Sequence, residues 1–502
     1  MLFCGDSFSI IECLILLELS LRGSSPGRIV LSVSTTGGFK RVSMEPMRMS
    51  GSDHPQDDAD VDLLDPFRQF FSLQRDVLVL SVAMFAFSLG FQMTNRYIPE
   101  YLSALGASAL VIGLFGTVGN VIGAVYPYPG GRLSDRIGSR VALTLFGLLS
   151  SLGFAVWLVA PQFGTISIAG VVFEPWIWIF VGLFLAQAWK SFGLGATFAI
   201  VKQSVPPERL ARGFASTEVF RRTAFLIGPL IAAAIIQSVA EFTVSFQYVL
   251  AVALLFGVGA TALQHVLYDA SEDTLGKEFA GVREVIDDLR SLPPELQPLL
   301  VADTLVRFAN GMVYVFFVIV ITQFLGVGLD VGPVSLSPAA FFGVLLAVEM
   351  LVALVSMPPA ARAAESVGLK PIVALGFLVY AVFPVLLISV PADTGFTAPL
   401  VVLLFAFSGL RFAGLPAHKA LIVGPAERDA GGRVSGSYYL VRNAIVIPSA
   451  ALGGVLYGGI TLPTVGIEFG GSPSLAFGLA SAIGLVGVVF FGLFGEEYEP
   501  YR

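Results

Sequence analysis

The sequence predicts an all-α integral membrane protein built from two pseudo-symmetric six-helix bundles. Two observations support this prediction: an unusually apolar composition, and a pair of motifs that recurs in the second half of the chain. The 502 residues are 55% hydrophobic and only 13% charged, whereas soluble domains carry about 25% charged residues. Because the apolar residues fall into many runs of spanning length, the composition disfavours a soluble multidomain protein.

Twelve apolar segments are long enough to cross a bilayer. They are continuous, whereas the strands of a transmembrane barrel alternate apolar and polar residues, so we predict helices. A polar stretch from Tyr268 to about Gln297 divides them into two sets of six. The segments lie near 77–95, 108–127, 141–160, 175–201, 214–237, 246–266, 299–324, 339–357, 371–390, 398–423, 434–458 and 475–494.

Lysine and arginine are concentrated in alternate loops, and this bias orients the helices. The loops after the second, fourth, eighth and tenth segments and the central stretch each carry two or three cations, while the opposite loops are nearly free of them. The positive-inside rule then places both termini in the cytoplasm. Arg96, after the first segment, is the exception. We therefore expect a multi-pass protein of the cytoplasmic membrane, surrounded by its lipids.

Residues 1–76 differ from the rest of the chain. The run IIECLILLEL is too short to span a bilayer, and the later SGSDHPQDDADVD is acidic and predicted to be disordered. Either translation starts at Met49, or the first residues form a short interfacial helix. The net charge of −7 and the scarcity of lysine are typical of a halophilic archaeon or a GC-rich genome.

Two motifs recur in order, one copy in each half. PPERLARG at 206–213 matches PAERDAGG at 425–432, and GRLSDRIGSR at 131–140 matches ARAAESVGLK at 361–370. The repeats predict an N-terminal half over 77–266 and a C-terminal half over 299–495 in parallel orientation. We expect an amphipathic cytoplasmic linker over 267–298 and a cytoplasmic tail over 496–502. Two such halves around a midplane site are typical of a secondary transporter.

The first repeated loop combines glycines, an acid and arginines between two apolar segments. Glycines permit a tight turn, and an aspartate can accept hydrogen bonds from a helix N-terminus. We interpret the loop as a conformational latch. The alternative is an ordinary cytoplasmic turn that follows the positive-inside rule, which would explain the arginines but not the repeated glycine and acid. The residues assigned to the latch in this loop are Gly131, Asp135, Arg136, Gly138 and Arg140, and those assigned elsewhere are Glu218, Arg222, Glu365, Gly368 and Arg442.

The stretch GRLSDRIGSR resembles the signature loop of the major facilitator superfamily, G-x-L-x-D-R-x-G-R-[KR]. Ser139 replaces the usual arginine. The resemblance covers about 75–495 and implies the major facilitator fold with twelve helices, alternating access and no covalent chemistry. The fourth segment has Lys190 three residues before Gly193, without the family's Gln-Gly pair. The fifth keeps Gly228-Pro229 of the drug-antiporter signature but not its other glycines, which gives partial support for an exporter.

Ionisable residues inside the apolar segments are costly, so each one requires a reason. Lys190 and Arg411 lie in the middle of the fourth and tenth segments, which the resemblance places around a cavity. Either both attract an anionic substrate, or each pairs with a carboxylate or carbonyl. Asp303 and Arg307 are spaced i, i+4 and either respond to protons or form a structural pair. Glu349 either carries a proton or pairs with Lys190 or Arg307.

The remaining candidates are polar residues of the first and seventh segments. Gln92, Asn95, Asn310 and Tyr314 are predicted substrate ligands, together with Lys190 and Arg411.

The function predicted from these features is a secondary transporter, most simply a proton- or ion-coupled exporter of a small solute. The alternatives are an organic-anion uptake carrier and, less favoured, a receptor or scaffold. The chain shows no metal-ligand spacing, nucleophile motif or phosphate loop, so no enzyme activity, metal or cofactor is predicted. It has no basic stripe, so no nucleic-acid partner is predicted. Each chain holds a complete two-half pathway, which predicts a monomer.

Overall fold

The computed structural model describes residues 75–126, 133, 136–168, 171–189, 210–268, 293–392, 394–423, 431–462 and 467–497. Lys190, Gly131 and Asp135 lie outside the described residues, as do the N-terminal segment to residue 74 and most of the linker. The side chains of Glu218 and Glu365 are likewise outside what the structure describes. The predictions made for these residues therefore stay predictions.

The described part of the N-terminal half is helical apart from one hairpin. Its first predicted segment is followed by a break in the helix, because Pro99 has no N–H to donate to the preceding turn. The helices are α1 (Arg75–Thr94), α2 (Ile98–Ala104), α3 (Ala109–Val125), α4 (Ser139–Val159), α5 (Ile177–Ala188), α6 (Leu210–Ser238) and α7 (Phe242–Leu267), and the strands are β1 (Ile166–Ile168) and β2 (Val171–Phe173).

The C-terminal half repeats this plan with two hairpins. Its helices are α8 (Gln297–Val313), α9 (Pro338–Val367), α10 (Leu369–Ile388), α11 (Thr397–Gly409), α12 (Leu415–Val423), α13 (Gly431–Val446), α14 (Ser449–Gly458) and α15 (Pro473–Phe494). Helix α8 continues through a 3₁₀ turn, a short α turn and a π turn to Phe324. The strands are β3 (Leu329–Val331), β4 (Val334–Leu336), β5 (Ile460–Leu462) and β6 (Ile467–Phe469), and each hairpin is antiparallel, with Leu329 opposite Leu336 in the first.

The helical membrane class agrees with the prediction. Among the described residues, eight helical stretches are long and apolar enough to cross a membrane, and four shorter apolar helices accompany them. Each predicted segment overlaps one of these stretches. The total of twelve spanning helices stays a prediction.

Local sequence explains where several helices begin and break. Ser337 and Ser472 accept hydrogen bonds from the first turns of α9 and α15, and a proline follows each serine at the first helical position. The tenth predicted segment is divided into α11 and α12 by a 3₁₀ turn over Leu410–Phe412. Pro416 in the first turn of α12 explains the break, because it offers no N–H to the preceding turn. Arg411 therefore lies at a helix interruption.

The two halves meet closely along two helix pairs, α3 with α14 and α6 with α9. Glycine permits this approach: a Cβ on Gly454 would lie 2.5 Å from the carbonyl oxygen of Ala109, and one on Gly343 would lie 2.5 Å from that of Pro229. The backbones are therefore in direct contact without intervening side chains. These contacts lie toward the end of the bundle that the positive-inside rule places outside the cytoplasm.

Hydrogen bonds between the halves close the same end. The Tyr97 hydroxyl donates to the carbonyl oxygen of Ala339 at 3.1 Å. The Thr322 hydroxyl donates to the Glu100 carboxylate at 2.7 Å. Gln237 on α6 donates to the carbonyl oxygen of Ser335 at 2.9 Å. We call these contacts the outer tie.

Candidate functional site

A cleft between the two halves contains most of the polar side chains predicted to bind substrate. It comprises about 590 Å³ of empty space including its opening. Residues of α1, α6, α8, α9, α10 and the break between α11 and α12 form its walls, so both halves contribute to it. The lining residues are Gln92, Arg96, Arg222, Phe225, Pro229, Asn310, Tyr314, Leu346, Glu349, Met350, Tyr380, Arg411 and Phe412.

The centre of the cleft is a carboxylate shared by two arginines. Glu349 is 2% exposed, and its Oε1 lies 2.8 Å from Nη2 of Arg411. Nη2 of Arg96 lies 3.6 Å from the other carboxylate oxygen. The Ser408 hydroxyl donates to Oε1 at 2.5 Å. The ion pair thus joins the N-terminal half, through Arg96, to the C-terminal half.

Aromatic rings flank the same guanidinium groups. The Arg96 guanidinium lies 4.0 Å from the centre of the Tyr314 ring. The Arg411 guanidinium lies 4.8 Å from the Phe412 ring and 5.0 Å from the Tyr380 ring. Cation–π contact stabilises a desolvated guanidinium without neutralising its charge. The arginines are therefore held in place while they retain positive charge for a ligand.

A second buried cluster lies within the C-terminal half. Asp303 is 0% exposed and accepts hydrogen bonds from Nε of Arg307 at 3.2 Å, Nη1 of Arg442 at 3.0 Å and the Tyr438 hydroxyl at 3.1 Å. Nε2 of His418 lies 3.3 Å from the same carboxylate. The cluster thus joins α8, α12 and α13, and it contains two arginines for one carboxylate. We call it the Asp303 cluster.

One bond links the Asp303 cluster to the cleft. Nη1 of Arg307 donates to the Tyr380 hydroxyl at 2.9 Å, and the Tyr380 ring also contacts Arg411. A displacement of Arg411 can therefore reach the cluster through a single side chain.

The structure gathers most, but not all, of the predicted substrate residues. Gln92, Asn310, Tyr314 and Arg411 line the cleft, and so does the predicted coupling residue Glu349. Asn95 is buried but is not among the lining residues.

Two residues assigned to the latch lie where the sequence did not place them. Arg222 lines the cleft, and Arg442 contacts Asp303. Both lie among buried polar groups in the bundle, and their latch role stays a prediction.

Sequence reasoning missed Arg96, Tyr380 and His418 as parts of these sites. Arg96 had been regarded only as an exception to the loop pattern. That exception was itself a signal, because a cation on the wrong side of the membrane needs a local partner. Neither Tyr380 nor His418 carried a signal, since their roles depend on helices distant in sequence.

The two repeated loops have matching contacts in the described residues. Gly138 and Gly368 have φ of +86° and +92°, which favour glycine, and each precedes a helix start. Nε of Arg140 donates to the carbonyl oxygen of His265 at 2.6 Å, and Nζ of Lys370 donates to that of Gly492 at 3.1 Å. Arg140 thus ties α4 to α7, and Lys370 ties α10 to α15.

Glu497 completes this arrangement in the second half. Its carboxylate accepts hydrogen bonds from the N–H groups of Leu369 at 3.0 Å and Lys370 at 2.8 Å, at the positive end of α10. Arg136 is exposed, and the proposed movement of the loop stays a prediction.

The described residues contain no group of three or more His, Cys, Asp or Glu side chains that could hold a metal ion.

Comparisons with known proteins agree with this architecture. A family model described as Major Facilitator Superfamily matches residues 80–342. An uncharacterized MFS-type transporter of Methanocaldococcus jannaschii is 20% identical over 386 residues, which cover 77% of this chain and 89% of the relative. An uncharacterized MFS-type transporter of Mycobacterium tuberculosis is 28% identical over 170 residues, 32% of this chain and 36% of that relative.

Solved structures show the same fold at low sequence identity. The nucleoside transporter NupG matches with a TM-score of 0.63 and 10% identity, covering 84% of this chain and 100% of that one. A peptide transporter, POT, in complex with sulfate matches with a TM-score of 0.59 and 15% identity, covering 86% and 99%. These likenesses establish the fold and leave the substrate to be argued from the cleft.

Proposed function

Because the chain belongs to the Major Facilitator Superfamily, we propose that it carries a small organic anion across the cytoplasmic membrane by alternating access. The chain is a multi-pass membrane protein of MFS transporter type, and its relatives are transporters rather than enzymes. The anionic substrate is our inference from the cleft.

The observation that carries the proposal is the charge of the cleft lining. Arg96, Arg222 and Arg411 line it with Glu349 as the carboxylate among the lining residues. The formal charge of these four side chains is +2. A cleft with apolar walls and an excess of one sign of charge attracts ions of the opposite sign. Guanidinium groups bind carboxylates with two parallel hydrogen bonds, so a carboxylate is the expected ligand.

The geometry also indicates how transport can be coupled to protons. A substrate carboxylate that binds Arg411 and Arg96 would compete with Glu349 for the same donors. We propose that Glu349 carries the coupling proton, because a charged side chain inside the membrane is costly without its cationic partners. Proton and anion would then move together, which favours proton-coupled uptake.

Export is the second candidate, and the packing of Gly228 favours it. A Cβ on Gly228 would lie 2.8 Å from Cβ of Gln92, so α6 contacts α1 directly beside the cleft. The Gly-Pro pair of the drug-antiporter signature thus lies beside the cleft. An exporter would bind substrate and proton alternately.

The test measures proton movement in proteoliposomes that contain an internal pH dye. Short carboxylic acids and lipophilic cations are added outside, and wild type is compared with Arg411→Gln, Glu349→Gln and the exposed control Arg362→Gln. We expect carboxylates to drive internal acidification in wild type and in Arg362→Gln, and Arg411→Gln to lose at least tenfold, the loss typical of a charge-assisted hydrogen bond.

Glu349→Gln separates binding from coupling. Because glutamine cannot carry the proton, this variant should exchange internal for external anion but should not move protons with it. Flux driven only by lipophilic cations, and retained in Arg411→Gln, would refute anion transport and support the exporter candidate.

A further inference from the structure

We propose that the transported anion carries a hydroxyl group next to its carboxylate, and that Asn310 selects for this hydrogen-bond donor. This inference rests on the proposed anion transport and specifies its substrate class. It assigns to Asn310 a role in specificity that is separate from the charge-based binding by the arginines.

The side chain of Asn310 is buried in the cleft wall with an unused acceptor. Asn310 lies on α8 and is 3% exposed. Its Oδ1 atom is buried and has no hydrogen-bond partner among the described residues. A buried acceptor without a donor is costly, and native structures retain few such atoms without a reason. A donor on the substrate would satisfy this oxygen when the cleft is filled.

The position of Asn310 singles it out among similar atoms. Among the described residues, the hydroxyl oxygens of Thr304 and Ser449 are the other buried side-chain oxygens without a hydrogen bond. Neither residue lines the cleft, whereas Asn310 does. The unused acceptor therefore coincides with the site where a ligand is expected.

The neighbouring contacts place Asn310 beside the predicted carboxylate position. Tyr314 follows Asn310 by four residues, so the two side chains lie on the same face of the helix. The Arg96 guanidinium contacts the Tyr314 ring at 4.0 Å and approaches the Glu349 carboxylate at 3.6 Å. A carboxylate that takes the place of Glu349 on Arg96 would direct its adjacent substituent toward this face of α8. A 2-hydroxy acid fits this arrangement.

The experiment compares three acids of similar size in wild-type proteoliposomes. Lactate carries a hydroxyl that donates, 2-methoxypropionate carries an oxygen that only accepts, and propionate carries neither. We expect lactate to be taken up about tenfold more efficiently than propionate, the usual worth of satisfying one buried acceptor. We expect 2-methoxypropionate to behave like propionate. Alanine is a zwitterion with an ammonium group in place of the lactate hydroxyl, and 3-hydroxypropionate carries its hydroxyl one carbon further away, so we expect neither to reach the uptake of lactate.

A variant locates the preference at one side chain. Asn310→Leu keeps the approximate shape of the side chain and removes its hydrogen-bonding groups, so the preference for lactate over propionate should fall to within about twofold. The matched control is Gln247→Leu, which removes an amide that donates to the carbonyl oxygen of Leu158 at 2.8 Å within the N-terminal half. This control should keep the preference.

The outcomes separate the two proposals. Equal uptake of all three acids, or a preference for 2-methoxypropionate equal to that for lactate, would overturn the donor inference and leave anion transport in place. Uptake of none of the acids would overturn the proposed function and with it the inference. Because the wild-type comparison requires no mutation, it gives an answer even where Asn310→Leu fails to fold.

Discussion

Replacing Asp303 with asparagine should destabilise the C-terminal half more than the removal of an exposed charge does. The Asp303 carboxylate is fully buried and shared by Arg307 and Arg442. Asparagine has nearly the same shape and keeps one acceptor oxygen, so the change removes charge and not volume. The two guanidinium groups then lose the carboxylate that both contact.

The structure sets the expected magnitude of this effect. Removing one partner from a buried ion pair costs about 3–5 kcal/mol, because the remaining charge stays in a poorly solvated site. The remaining hydrogen bond of asparagine offsets part of this, so we expect about 3 kcal/mol. For a unit of roughly 200 residues, each kcal/mol lowers the melting temperature by about 2–4 °C, which gives a decrease of about 6–12 °C.

The assay is thermal unfolding of the purified protein in detergent, followed by the loss of helical circular dichroism, because all four tryptophans lie in the N-terminal half. The matched control is Asp330→Asn in the β3–β4 hairpin, where the exposed carboxylate accepts a hydrogen bond from Ser335 at 2.6 Å. That change should cost within about 0.5 kcal/mol. Adding Arg442→Met to Asp303→Asn should restore part of the loss, since it removes one of the excess charges. An Asp303→Asn protein that melts within 2 °C of wild type, on the order of 0.5 kcal/mol, would refute the reasoning.

Two further predictions concern the contacts between the halves. Gly454→Val should abolish assembly of α14 against α3, measured as loss of monodisperse protein on size exclusion, whereas Gly119→Ala, which meets no atom within 4 Å, should not. In the structure, the outer tie closes the outer end of the bundle, and we call this arrangement the outward-closed state. Burial in this state raises the pKa of the Glu100 carboxyl above its usual value, and hydrogen bonds from Thr322 and Gln323 partly oppose the rise. A group whose pKa is raised in one state binds more protons there, so acidification from neutral pH toward about 4.5 should favour the outward-closed state. Distances between spin labels at Val172 and Val331 should shorten with falling pH in wild type, and a pH response unchanged in Glu100→Gln would contradict the assignment.

Much of the fold followed from local sequence properties. Each of the apolar segments overlaps a helix in the structure, because hydropathy over about twenty residues depends on the segment alone. The repeated loops lie at matching helix junctions, where Gly138 and Gly368 both have a positive φ, and this agrees with the tight turn that the glycines were expected to permit. The family resemblance of GRLSDRIGSR was also sound, since the chain belongs to that family.

The partners inside the bundle did not follow from local sequence. Glu349 was expected to carry a proton or to pair with Lys190 or Arg307, but its ion pairs in the described residues are with Arg411 and Arg96. Arg411 was predicted to lie in the middle of a continuous helix, whereas the α-helix is interrupted by a 3₁₀ turn at that residue. Successive residues of a helix point about 100° apart, so a break changes the direction of every side chain near it.

The sequence by itself determined the membrane class and the apolar helical segments, and it predicts the orientation and the division into two related halves. These properties are sums over neighbouring residues, and no distant contact can reverse them. Only the tertiary structure decided that Arg96 and Arg411, from different halves, share one carboxylate, and that Asn310, whose Oδ1 has no hydrogen-bond partner among the described residues, lines the same cleft. Such contacts depend on the rotation and spacing of the helices, which are fixed by packing across the whole bundle.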